Sequence, residues 1–189
     1  MFSLKSTATI PIPASSAEVA LAPGKVSSRS QITWLRCVCL SVVVILVVGG
    51  ITRLTGSGLS MVDWRPIAGI LPPITDNQWN EVFMMYQASP EYQKVNLGMS
   101  LSDFKFIFFW EYLHRILGRI VGLLCLVPYL YFLIRGKLSS RMKVFGLTLI
   151  ALVVGQGLMG WYMVKSGLVN NPEVSQYRLA AHLSLAFSV

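Results

Sequence analysis

The stretch WEYLHRILGR, residues 110–119, places Glu111, His114, Arg115 and Arg119 between the apolar runs FKFIFF and IVGLLCLVPYLYF. Burying ionisable groups in such surroundings is costly unless they are paired or used, so the segment marks a candidate site. Glu111, His114, Arg115 and Gly118 stand at i, i+3, i+4 and i+7 and so share one helix face. The chain has only two histidines, His114 and His182, and both fall in apolar sequence. Two helices that each present one imidazole at similar depth could clamp a haem iron from both sides. Against this stands the plainer reading of two unrelated helix histidines bonded to their neighbours. Arg115 or Arg119 suits haem propionates, whose carboxylates match guanidinium geometry. Alternatively, Glu111 and Arg115 neutralise one another at i+4, and Arg119 snorkels. Glu111, one turn from His114, is a candidate proton donor or acceptor beside a bound group. Gly118 and Gly122 allow a helix or a flat ring to come close.

The elements that would position these groups are membrane spans. The 189 residues are 54% hydrophobic and 13% charged, with a mean hydropathy of +0.60. A soluble domain is about a quarter charged. The net charge of +8 does not signal nucleic acid. Lys5, Lys25, Arg29 and Arg36 precede the first apolar run, and Arg135, Lys137, Arg141 and Lys143 separate the second from the third. Flanking basic residues are a topology signal. Cys37, Cys39 and Cys125 lie in apolar runs and read as packing residues.

The expected fold is all-α, a polytopic membrane four-helix bundle over residues 32–189, behind a disordered tail of residues 1–31. Spans are expected at Trp34–Leu54, Phe104–Ile134 and Val144–Val164, with a fourth starting near Tyr177. Ser100 and Asp103 have capping-box spacing ahead of the second. That span exceeds one bilayer crossing, so it must tilt or protrude. The fourth has too few residues before Val189 to cross, and the chain is expected to be part of a longer protein. Counted from its span start, His182 lies about 8 Å deep and His114 about 15 Å; protrusion of the second span would bring the depths together. Segment 135–143 holds four basic residues and no acid, which places it and the N-terminus on the cytoplasmic or matrix side. The loop 55–103 then faces outward. Its Trp64, Trp79, Phe83, Tyr86 and Tyr92 suggest short interfacial helices over the bundle, or simply headgroup anchors. GQGLMG, residues 155–160, matches a dinucleotide fingerprint, but inside an apolar span it reads as helix packing.

Four segments in order resemble one family. GGITRLTGSGLSMVDWRPIAGILPP (49–73), SPEYQKVNLGMSLSDFKFIFFWEYLHRILGRIVG (89–122), GQGLMGWYMVKSGL (155–168) and VSQYRLAAHL (174–183) are similar to haem A synthases of bacterial cytoplasmic and mitochondrial inner membranes. The resemblance implies an eight-span protein of two four-helix halves, each with a histidine pair. This chain would be the amino-terminal half, with His114 and His182 as iron ligands to the substrate, haem O. A porphyrin methyl is oxidised through an alcohol to a formyl group, giving haem A for terminal cytochrome oxidase. Haem B, the cofactor, belongs to the second half. Glu111 matches a glutamate regarded in the family as catalytically important. The implied partners are haem O, the lipid bilayer, haem O synthase, cytochrome oxidase assembly factors and a second copy of the chain, with no nucleic acid. One branch carries a cysteine pair in the first outer loop; residues 55–103 contain none, so thiol chemistry from that branch does not transfer. Two other classes compete: a cytochrome b-like electron-transfer subunit with the same ligands, and a proton relay or transporter using Glu111, His114 and Arg115 without haem.

Overall fold

The computed structural model describes residues 29–62, 71–167 and 175–189. Six helices occur among them: α1 Arg29–Leu54, α2 Asp76–Gln87, α3 Pro90–Lys94, α4 Leu101–Ile134, α5 Ser140–Gly167 and α6 Gln176–Phe187. There is no strand among the described residues. α1, α4 and α5 are each long and apolar enough to cross a membrane. Their apolar side chains turn outward as well as inward: Leu40 is 66% exposed, Leu123 58% and Leu158 63%. Such an apolar surface suits lipid, and along each span the helix satisfies its own backbone polar groups, as a membrane crossing requires. The chain is a polytopic helical membrane protein.

α1 begins at Arg29, ahead of the expected Trp34, so Arg29–Gln31 are helical and are not part of a tail. Residues 1–28 lie outside the described part, as does any leader in them. Tertiary contacts explain the early start. Gln31 is buried and its Nε2 donates to the Lys137 carbonyl at 3.0 Å, gripping the α4–α5 turn. One turn on, Trp34 Nε1 donates to the Leu124 carbonyl at 2.7 Å, a partner that a buried indole requires. Around Trp34 pack Val38 of α1, Val121, Cys125, Tyr129 and Phe132 of α4, and Leu149 of α5. Of the cysteines, only Cys125 packs inside; Cys37 and Cys39 are exposed on the apolar face of α1.

Ser100 caps α4, but Asp103 answers to the Ser100 hydroxyl rather than to its backbone N–H, so half of the expected capping box forms. Ser100 Oγ accepts from Asp103 N at 3.2 Å and donates to Asp103 Oδ2 at 2.6 Å. Its 34 residues span about 51 Å, well beyond a hydrocarbon core of about 30 Å. Pro128 sits within it without ending it. α5 crosses α4 where Gly146 lies under the Tyr129 ring, and a Cβ at Gly146 would run into that ring. Tyr129 also donates to the Lys143 carbonyl at 3.1 Å. α6 packs on α5.

The excess length of α4 is taken up by the loop. α2 has a reciprocal cap between Thr75 and Gln78, and α3 opens on Ser89 with Pro90 in its first turn. These two helices fold over the first turns of α4. Tyr86 and Phe104 are both fully buried, with Ile107 and Phe108 beside them and Trp79, Phe83 and Tyr92 packed around. The aromatics therefore build a second small core on α4 and are not only headgroup anchors; Trp64 lies outside the described residues.

Candidate functional site

Glu111 is where the loop meets the bundle. It is 3% exposed, and its two oxygens are bonded from three directions. Oε2 accepts from Ser60 Oγ at 2.6 Å and from the Met61 backbone N–H at 2.7 Å. Oε1 pairs with Arg115, four residues on. Arg115 Nη2 also donates to the Met61 carbonyl at 3.1 Å. The charge is thus held by a guanidinium, a hydroxyl and an amide, the arrangement that makes a buried carboxylate tolerable. Ser60 is buried as well and sits in a short turn after α1, so the 57–61 turn is drawn onto α4 by this one side chain.

His114 lies one turn further along the same face. Its neighbour on α1 is Gly49, where an added Cβ would stand 3.0 Å from Nε2. On α6, His182 faces Gly160 of α5, where a Cβ would stand 3.5 Å from Cε1. The two imidazoles are near enough for their charges to interact, and His182 Nδ1 is buried without a hydrogen-bond partner among the described residues. From the buried Phe108 to His114, and from the start of α6 to His182, the rise is about 9 Å in each case.

Gly118 and Gly122 divide their roles. A Cβ added at Gly118 would stand 3.6 Å from Ile45 of α1 and one at Gly122 3.9 Å from Val153 of α5, so both positions lie against neighbouring helices. Arg115 is engaged by Glu111 and Met61. Arg119 lies within range of the charges of Arg115 and Tyr112. Within GQGLMG, Gly155 meets Leu185 and Gly160 meets His182, which is helix packing against α6. Two further polar atoms turn inward without a hydrogen-bond partner among the described residues, Trp110 Nε1 and Gln156 Oε1.

Several of these residues do not announce themselves in the sequence. Gly49, in a Gly–Gly pair, and Gly160, in GQGLMG, carry no sign of a histidine partner in the sequence, and only the packing shows that each faces one. Ser60 and Met61 lie far from Glu111 along the chain, so no spacing argument reaches them. Arg178, whose guanidinium bonds Ser166 Oγ and stacks over Tyr162 at 4.8 Å, ties α6 to the end of α5.

A helical membrane bundle with one imidazole on each of two helices, and a buried ion pair beside one of them, is the class that fold and site define. Residues 32–189 match the family described as cytochrome oxidase assembly protein, and the chain belongs to that family. Relatives named Heme A synthase include those of Nitrosospira multiformis, 54% identical over 158 residues covering 82% of this chain and 44% of the relative, and Rickettsia bellii, 52% identical over 153 residues covering 81% and 46%. That of Flavobacterium johnsoniae is 48% identical over 165 residues, covering 86% and 48%. The chain spans about half the length of these relatives. No solved structure matches it.

Proposed function

We propose that this chain is the substrate-haem half of a haem A synthase, in which His114 and His182 hold the iron of haem O on the side of the bundle that carries the 71–100 loop. The observation that carries this is a pair of imidazoles near enough for their charges to interact, each packed against a glycine of a neighbouring helix. Side-chain bulk is missing where a ring edge must stay clear, and the unpartnered Nδ1 of His182 gives that imidazole a polar atom still to be satisfied. The residues fit a flat iron macrocycle, whose oxidisable methyl is where the chemistry occurs. Haem B, the cofactor of the family, is assigned to a second half, since the only two histidines of this chain are committed to the substrate.

Glu111 is the proton-handling group, placed one turn from His114 and held by Ser60, Met61 and Arg115. Arg115 holds that carboxylate in place, and Arg115 and Arg119 are the candidate partners of the haem propionates. Gly118 lets α1 close on this face. The basic 135–143 segment lies on the cytoplasmic or matrix side and the loop on the opposite one. Haem O synthase would deliver the substrate, and oxidase assembly factors or a second copy of the chain would meet the apolar flanks.

The test is extraction of haems from membranes carrying the full-length protein. Glu111→Gln keeps the shape and loses the charge; haem O should accumulate and haem A fall by about a hundredfold or more if the carboxylate handles protons. Undiminished haem A would remove Glu111 from the chemistry.

A further inference from the structure

A second carboxyl lies beneath the loop helices. Glu91, on α3, is 6% exposed. It accepts a hydrogen bond from the Tyr86 hydroxyl, which itself accepts from Asn96 Nδ2 at 2.7 Å. That chain of donors is directed: the amide points its hydrogen at the phenol, and the phenol points its own at the carboxyl. Glu91 Oε2, by contrast, has no partner among the described residues. Glu111 of α4 is close enough for its charge to act on Glu91. Two buried carboxyls within each other's field do not both ionise readily. Their surroundings decide which one holds the charge. Glu111 has three donors, one of them a guanidinium, whereas Glu91 has a phenol on one oxygen and nothing on the other.

We propose that Glu91 is the acid partner of the Glu111 carboxylate, a neutral carboxyl under the loop that holds the exchangeable proton of the site. This rests on the reading of the loop side as the place where haem O is oxidised. If water supplies the oxygen of the new C–OH bond and an electron acceptor in the second half of the protein takes the electron pair, oxidising the methyl C–H releases one proton for each electron, and those protons must leave the site. Glu111 lies one turn from His114, and Glu91 lies on α3 of the loop, within reach of the Glu111 charge. A proton leaving Glu91 passes to water at the loop surface and leaves a carboxylate, which takes up the next proton released inside. Burial, followed by the Glu111 charge, pushes the Glu91 carboxyl up to about 8 against a smaller lowering by Tyr86. A group in that range can both hold and release a proton near neutral pH. The titratable groups facing it are Tyr86 from α2 and Glu111 from α4, with Arg115 beyond, paired to Glu111. Glu91 positions a proton for Glu111 and does not itself touch substrate.

The experiment is infrared spectroscopy of the full-length protein, titrated from about pH 6 to about pH 10, with haem conversion measured on the same preparations. The wild type should show the carbonyl stretch of a protonated carboxyl at neutral pH, fading as pH rises through about 8. Glu91→Gln should delete that band, and Glu111→Gln should keep it. Haem O occupancy, read from the absorption spectrum, should be unchanged in Glu91→Gln. Its conversion should fall about tenfold, short of the roughly hundredfold or greater loss expected where a group meets the reacting atom, and Glu91→Asp should restore part of it. A neutral-pH spectrum without the band, or a band that survives Glu91→Gln, would overturn the proposal. So would a pH profile of conversion that Glu91→Gln leaves unmoved. A wild type that binds no haem O would instead contradict the haem reading, while the band would still decide where the proton resides.

Discussion

Glu111 shows how much one buried charge can organise. Its three donors come from the turn after α1 and from its own helix, so the same side chain anchors a loop and supplies an anion beside His114. Removing one member of such a pair strands the other. Glu111→Ala should destabilise the fold by about 3–5 kcal/mol, measured by thermal or denaturant unfolding in detergent. Glu111→Gln should cost less, because the amide still accepts from Ser60 and Met61. The ion pair itself was readable in the sequence from the i, i+4 spacing of Glu111 and Arg115. Ser60 and Met61 were not, since they reach Glu111 only through the fold of the loop. A comparable point holds for Gly49. Gly49→Val would press on Nε2 of His114, where even a Cβ stands at 3.0 Å. The expected result is loss of bound haem O at normal protein levels, read from the absorption spectrum of the purified protein.

At the scale of elements, the excess length of α4 and the aromatics of the loop explain each other. α2 and α3 need an apolar surface to fold on, and the first turns of α4 provide Phe104, Ile107 and Phe108. The length and apolar character of the spans, the Ser100 cap and the presence of loop helices were all legible in composition and pattern. The start of α1 was not, because Gln31 is polar and its helical state depends on the distant Lys137 carbonyl. The loop should also report on Glu91. In the folded loop its carboxyl keeps its proton to about pH 8, against a free value of 4.5, so the folded loop binds more protons than the opened one between those limits. Loop stability should therefore fall as pH rises through that window and level off above it. Hydrogen exchange of the α2 and α3 amides, corrected for intrinsic rates, checks this, and Glu91→Gln should abolish the dependence. In the α4–α5 pair, Gly146→Val would collide with the Tyr129 ring. The expected cost is about 1–3 kcal/mol, measured by unfolding.

At the scale of the molecule, three membrane-length helices and the shorter α6 bring two histidines 68 residues apart in the sequence within range of each other's charge. Hydropathy and the two-histidine count suggested that meeting, and the resemblance gave it a chemistry. The clearing around the imidazoles by Gly49 and Gly160 emerges only in three dimensions. A chain that covers about half of its relatives carries one iron site on this reading, and the partner half carries the other. Haem analysis of the purified full-length protein, alongside His114→Ala and His182→Ala, separates the two sites. Each variant should keep haem B and lose haem O together with the formation of haem A. Haem A formed at the wild-type level by either variant would contradict the assignment of this histidine pair to the substrate.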